Sequence, residues 1–259
     1  MNARTTVTYG TQVREPDHDE TARLQARTLF VVGPDETLER VNDVGRPAAP
    51  RCFVSVTSGA VHYWTTPDPP AALTNALHAW RTRVHPPLDL DAFTALPDEV
   101  VTAATPSSAI GPSLFSGPAY RFTPESAPAG ELPGNVRVAQ CPPNSAAVLR
   151  SAFPELTPIL TQREPVVAAF DGERPAAVCF SSRTAPEACE AGVETLPEYR
   201  GRGLATAVTA YWAELVRAGG RIPLYSTSWS NTSSQAVARR LGLVRYAATL
   251  SLYAPTERV

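Results

Sequence analysis

Hydrophobic positions follow two different rhythms along this chain, and a polar lead-in precedes both. Up to about residue 25 no period is sustained, so a loosely held segment is expected there. From Thr28, "TLFVVGPDETLERVND" reads as strand, turn, strand around Gly33-Pro34-Asp35. "RCFVSVTSGAVHYWTTPD" repeats the plan, with Phe53 and Val54 before Ser58-Gly59 and Val61, Tyr63 and Trp64 after it. "PPAALTNALHAWRTRV" changes to helical spacing: Leu73, Leu77 and Trp80 share a face, and Pro70 stands near the start. Two hairpins and a helix predict a small α+β module ending near Ala104. The stretch "TPSSAIGPSLFSGPAYRFTPESAPAGELPGN" is rich in Pro, Ser and Gly and reads as a linker, with "AYRF" as a short strand inside it. A boundary near Pro128 divides the chain into an N-terminal module, 1–128, and a second domain, 129–259.

The second half is more regular. "NVRVAQ" alternates as a strand, and "PNSAAVLRSAF" follows as a helix capped by Asn144 or Ser145, with Ala147, Leu149 and Phe153 on one face. "PVVAAFDGERPAAVCFSS" is a hairpin around Asp171-Gly172. "EACEAGVETL" is the next strand. A helix then runs to about Ala218 and stops at Gly219-Gly220. "RIPLYSTSW" is a strand, Asn231 caps "TSSQAVARRL", Gly242 ends it, and "LVRYAATLSLYA" closes the pattern.

Composition narrows the chemistry. The 259 residues, 43% hydrophobic and 19% charged, can bury a sizeable core without cross-links. A formal net charge of -2 gives no bulk attraction to nucleic acid or to an anionic membrane. The basic residues are all Arg, so a lysine Schiff base and a GK[ST] phosphate loop are excluded. Cys52, Cys141, Cys179 and Cys189 are scattered, with no CxxC pair and no histidine at metal spacing, which predicts buried free thiols. The first twenty residues have no apolar h-region and no run approaches a membrane span, so a cytoplasmic protein is expected.

The segment "LPEYRGRGLATAV", Leu196 to Val208, carries the clearest chemistry. It joins a strand to a helix, and a helix start leaves backbone N–H groups free and presents the positive end of the dipole. Gly201 and Gly203 let an anion approach the backbone, and Arg200 and Arg202 add fixed positive charge. This is the chemistry of a pyrophosphate cradle. A dinucleotide fingerprint fits poorly, because the third glycine position holds Thr206.

Residues 135–255 resemble the GCN5-related N-acetyltransferase (GNAT) superfamily. The family's Q/R-x-x-G-x-G/A motif is matched by Arg200, Gly203 and Ala205 in "RGRGLA", with "LPEYRG" leading into it. The family's Asn-opened helix ending in LGF is matched by "NTSSQAVARRLGL", Asn231 to Leu243. The order of elements agrees as well. The resemblance implies an α+β fold: a GNAT-like mixed, mostly antiparallel sheet flanked by helices, preceded here by a smaller α+β domain. It implies acetyl-CoA in a V-shaped gap between the strand ending at Thr195 and "PLYSTSW". The backbone of Val193, Glu194 and Thr195 would hold the pantetheine arm and the thioester carbonyl. Arg200, Gly201, Arg202, Gly203, Leu204, Ala205 and Thr206 would hold the pyrophosphate, and Asn231 would reach the pantetheine or departing thiol. The reaction implied is direct attack by the amine of a small molecule, with no metal, in a monomer or homodimer.

Two positions depart from the family. The tyrosine that protonates the thiolate in many members is Ala238 here, and a base glutamate found in some is Ser226. Glu190 and Glu194, four apart on one strand and so on one face, are the replacement candidates for the base. A wet strand start for Glu190 and a salt bridge for Glu194 are the bland alternatives. Ser226, Ser228 and Trp229 are expected to line the gap on the substrate side, with Tyr225 and Tyr246 as alternative acids. His62 and His78 fall in the N-terminal module and read as structural or solvated. The competing function is a non-catalytic acyl-CoA-binding regulator whose N-terminal domain has an interaction role.

Overall fold

Asp17 and Glu20 stand three residues apart ahead of an apolar period, which is the signature of a capped helix start. In the computed structural model they form a full capping box on α1 (His18–Leu29), which buries Ala22, Leu24 and Ala26. The model describes residues 16–105, 113–124, 126, 132, 134–142 and 145–254. The lead-in expected to be loose up to about residue 25 is therefore helical from His18, and the strand expected from Thr28 begins only at Phe30. The polar average of this helix hid its one apolar stripe.

The next elements follow the expected hairpins: β1 (Phe30–Val32) with β2 (Leu38–Val41), then β3 (Cys52–Val56) with β4 (Val61–Thr65). In α2 (Ala71–Arg83), Leu73, Leu77 and Trp80 are the buried face. A further helix, α3 (Asp98–Ala104), completes a core with α2 against β3 and β4. The "linker" contains β5 (Ser113–Arg121), a nine-residue strand. Ala119 and Tyr120 on it are buried; the expected "AYRF" strand is its C-terminal end, and Gly117-Pro118 in its middle concealed the rest. Pro128 lies outside the described residues.

In the second half come β6 (Val136–Gln140) and α4 (Ala146–Leu149). The helix expected through Phe153 closes after one turn: Ser145 makes no side-chain cap bond, and Pro154 follows Phe153. Asn144, the other cap candidate, is outside the described residues. Leu149 and Phe153 are nonetheless buried. The hairpin of β7 (Val166–Asp171) and β8 (Arg174–Thr184) turns at Gly172, φ +60°. Next are β9 (Ala188–Thr195), α5 (Leu204–Ala218), β10 (Ile222–Ser226), α6 (Thr232–Arg240) and β11 (Val244–Tyr253).

Nine strands form one sheet in the order β4-β3-β11-β5-β10-β9-β8-β7-β6. All neighbours are antiparallel except β9 and β10, which run parallel. Strands from before and after residue 128 are interleaved, because β5 lies between β10 and β11. Helix α5 packs Leu204, Val208 and Trp212 on one face with α6, beside the α2–α3 core. Helix α1 covers the other face through Ala22 and Leu24 against Ala188, Leu224 and Ala247. All four cysteines are buried and free.

Candidate active site

Parallel strands β9 and β10 begin in register, Ile222 opposite Ala188, and their pairing ends with Leu224 opposite Glu190. Beyond that point β10 stays with β5: Ser226 pairs with Ala119, the Thr227 N–H donates to the Pro118 carbonyl at 3.2 Å, and the Trp229 N–H donates to Ser116 at 3.1 Å. Gly117 makes this possible. A Cβ there would lie 1.7 Å from the Thr227 carbonyl oxygen. So β10 bends away with β5, and Ala191–Thr195 of β9 lose their partner on that side. Alternate peptide groups of a strand point toward each neighbour, so an unpaired edge offers N–H donors to a ligand.

The divergence opens a cleft of about 620 Å³. Val193, Glu194 and Thr195 line one wall, and Arg200, Gly201, Gly203, Leu204, Ala205 and Thr206 line the floor. Asn231 and the side of α6 form the other wall. Ten of the eleven residues expected to bind the cofactor thus meet around one cavity. The exception is Arg202, whose guanidinium donates to the Glu198 carbonyl at 2.9 Å and lies 5.0 Å from the Tyr199 ring centre. It braces the turn from outside.

The turn itself is anchored by Tyr199, which is buried and donates its hydroxyl to Asp171 at 3.2 Å. Gly201 and Gly203 have φ of +76° and +81°, the left-handed region that favours glycine, and no atom lies within 4 Å of an added Cβ at either. Their need is conformational, and the space above them is open. Gly203 is the N-cap of α5 and has no side-chain cap bond, so the first-turn N–H groups face the cleft unclaimed by a cap. The hydroxyls of Thr195 and Thr206 are buried without a partner among the described residues. An open left-handed turn, an uncapped helix start and two orphaned hydroxyls fit a pyrophosphate and its amide-bearing arm. Asn231 spends its carbonyl oxygen on the Ser234 N–H at 3.0 Å, capping α6, and keeps its amide NH₂ for a ligand.

At the apex of the divergence stands Glu190. It is 3% exposed, so the wet strand start is not what the fold provides. Its Oε1 accepts the Ser226 hydroxyl at 2.6 Å, and its Oε2 is buried without a partner. Burial pushes its carboxyl up to about 7, against hydrogen bonds from Ser226 and the charge of Arg183, which pull it down. Ser226 therefore belongs with Glu190. Glu194 shares the strand face but lies two pleats away, exposed at the cleft. Burial raises its carboxyl, and the Glu155 charge adds to this. It makes no ion pair among the described residues.

The remaining candidates separate. Ser228 pairs its hydroxyl with Ser230 at 3.0 Å, and Trp229 packs against the α2–α3 core with the Arg245 guanidinium 5.9 Å from its ring. Neither lines the cleft. Both follow the β5 edge instead. Tyr246 is fully buried beneath α1. Tyr225 lines the cleft, its hydroxyl 2.6 Å from that of Ser234, and burial pushes it up to about 12. His78 is exposed, whereas His62 lies 3.1 Å from Asp19.

Six cleft residues were not singled out from the sequence: Tyr199 in the turn, and Ser233, Ser234, Ala236, Val237 and Arg240 on α6. The five on α6 recur every three to four residues, 233/234, 236/237 and 240, and so share one side of the helix, a signal available once the Asn231 cap is placed. Among the described residues no three His, Cys, Asp or Glu side chains are grouped to hold a metal, and no helix is long and apolar enough to cross a membrane.

Residues 166–249 match the family model for GNAT acetyltransferases. No curated protein matches the chain. Among solved structures it is similar to a GCN5-related N-acetyltransferase-like protein from Streptococcus suis, at 15% identity over 90% of this chain and 98% of that one, TM-score 0.47. It is also similar to a GCN5-related N-acetyltransferase from Sphaerobacter thermophilus, at 16% identity over 88% and 81%, TM-score 0.45. A GNAT-family acetyltransferase from Colwellia psychrerythraea is similar at 13% identity over 81% and 82%, TM-score 0.45.

Proposed function

With a GNAT acetyltransferase domain across residues 166–249 as the premise, we propose that this protein transfers an acetyl group from acetyl-CoA to the amine of a small acceptor. The observation that carries the reading is the divergence of β9 from β10. It opens a cleft that holds the glycine cradle, and the last paired residue before the strands part is the buried Glu190, which lies behind the cleft and does not line it.

Acetyl-CoA supplies an acyl group on a thiol leaving group. Arg200, Gly201 and Gly203 to Thr206 hold its pyrophosphate, and the free β9 edge from Val193 to Thr195 holds its arm. N–H groups on that edge are placed to stabilise negative charge on an acyl oxygen. An acceptor amine is mostly protonated at neutral pH, so a proton has to leave it. Glu190, raised to about 7, is matched to accept that proton, while Ser226 fixes Oε1 and leaves the buried Oε2 without a partner. Tyr225 keeps its proton at neutral pH and stands at the cleft, which suits the donor role that Ala238 lacks.

The test is release of free thiol from acetyl-CoA across a panel of small amines. Glu190→Gln should lower turnover by about a hundredfold or more with acetyl-CoA affinity unchanged. Full turnover in that variant, with Glu194→Gln impaired, would move the base to Glu194. The buried, apolar Ala238 favours a second reading, an acyl-CoA-binding protein without turnover. Binding without thiol release from any amine would select it.

A further inference from the structure

Glu190 has a cationic neighbour that does not touch it. Arg183 on β8 is its cross-strand partner on β9, so the two side chains leave the same face of the sheet. Directly paired residues place their Cβ atoms about 5 Å apart, well within reach of an arginine and a glutamate. The Arg183 guanidinium is instead paired with Asp43 at 2.9 Å, and no ion pair joins it to Glu190 among the described residues, although its charge still acts on Glu190 at longer range.

Three features set that pairing. The β8–β9 register shifts between Ser181 and Arg183, a bulge of the kind that re-aims a side chain. The Ser182 carbonyl exposed by the bulge accepts from Arg183 at 2.6 Å and also from Arg163. Asp43, in the segment between β2 and β3, then accepts Arg183 on one carboxylate oxygen and both Arg163 and the Val44 N–H on the other. Asn42 fastens the same segment, donating to the Thr184 carbonyl at 2.8 Å.

We propose that Asp43 is a positioning residue for acetyl transfer: by holding the Arg183 guanidinium, it keeps that group from docking on the Glu190 carboxyl. The proposal rests on Glu190 as the proton acceptor. A guanidinium docked on Glu190 would make it a permanent carboxylate and a weaker base. Among the described residues the other groups around Glu190 offer no competing charge. Ser226 and Tyr225 of β10 and Tyr246 of β11 are neutral, and α1 turns Thr21, Ala22, Leu24, Gln25 and Thr28 inward, none of them charged. The N-terminal segment thus contributes to the reaction without touching the acceptor or the acetyl group.

The experiment is the pH profile of kcat for Asp43→Asn, Arg183→Met and the double variant, with thermal melting of each. In Asp43→Asn the released Arg183 falls toward Glu190, so the acid limb should move about one pH unit lower and the plateau rate should drop. In Arg183→Met that charge is gone, so the limb should move up. The double variant should behave as Arg183→Met alone, because the effect of Asp43 runs through Arg183. A structural clip would lower the melting temperature of Asp43→Asn and leave the limb in place, and that outcome overturns the proposal. If Glu190→Gln keeps the wild-type limb, the proton-acceptor reading fails instead, and the two failures are distinguishable.

Discussion

Glu190 is a carboxyl whose environment favours its neutral form, and this has a consequence apart from catalysis. A carboxyl raised from 4.5 to about 7 binds a proton in the folded state over a range where the unfolded chain has released it. Stability therefore falls as pH rises from about 4.5 to about 7 and levels above that. The cost to the folded state at pH 8 is on the order of 3 kcal/mol. Glu190→Gln should be more stable than the wild type at pH 8, with the gain shrinking toward pH 4.5, as denaturant unfolding at both values would report. Equal gains at the two pH values would mean that the carboxyl is not raised. The sequence named Glu190 and Ser226 but not their contact. The two meet only because parallel strands far apart in the chain come into register. The cradle glycines were readable, since a left-handed turn before a helix restricts the residue type locally.

Among the elements, β5 and β10 decide whether the cleft exists. Gly117 lets the Thr227 carbonyl pass where a side chain would stand, and the obstructing atom is backbone, so it has little freedom to yield. Gly117→Ala should destabilise the protein by about 3 kcal/mol or more and weaken acetyl-CoA binding, measured by melting and by titration calorimetry. A melting temperature and affinity like those of the wild type would show that the splay does not depend on this close approach. Elements with a strong period were found from the sequence: α2, α5 and α6, and the hairpins of β3–β4 and β7–β8. Those missed were α1, whose apolar stripe is narrow, and the short α3, while β5 was read only as "AYRF" because Gly117 and Pro118 sit in the middle of a strand that other strands hold in place. For β5, tertiary packing outweighed local preference.

Across the chain as a whole, the topology ties the N-terminal segment to the region that matches the GNAT family model. With β5 between β10 and β11, removing everything before residue 129 would leave two strands without their shared neighbour and expose the apolar face that α1 covers. We expect residues 129–259 alone to show no cooperative melt, where the full chain shows one. A stable, cooperatively melting fragment would instead make the two parts independent domains. A linker composition suggested a boundary, whereas the sheet runs through both sides of it. Composition reports local propensity and is silent on which strands pair.

The most direct measurement is thermal melting with and without saturating acetyl-CoA, with NAD and ATP as controls and Gly203→Val in parallel. A ligand at about a hundred times its dissociation constant adds about 2.7 kcal/mol, which raises the melting temperature by several degrees. The wild type should shift with acetyl-CoA alone. Gly203→Val, folded but with a side chain forced into the left-handed turn, should not shift. No shift in the wild type, or an equal shift in the variant, would contradict the cleft between β9 and β10 as the acetyl-CoA site.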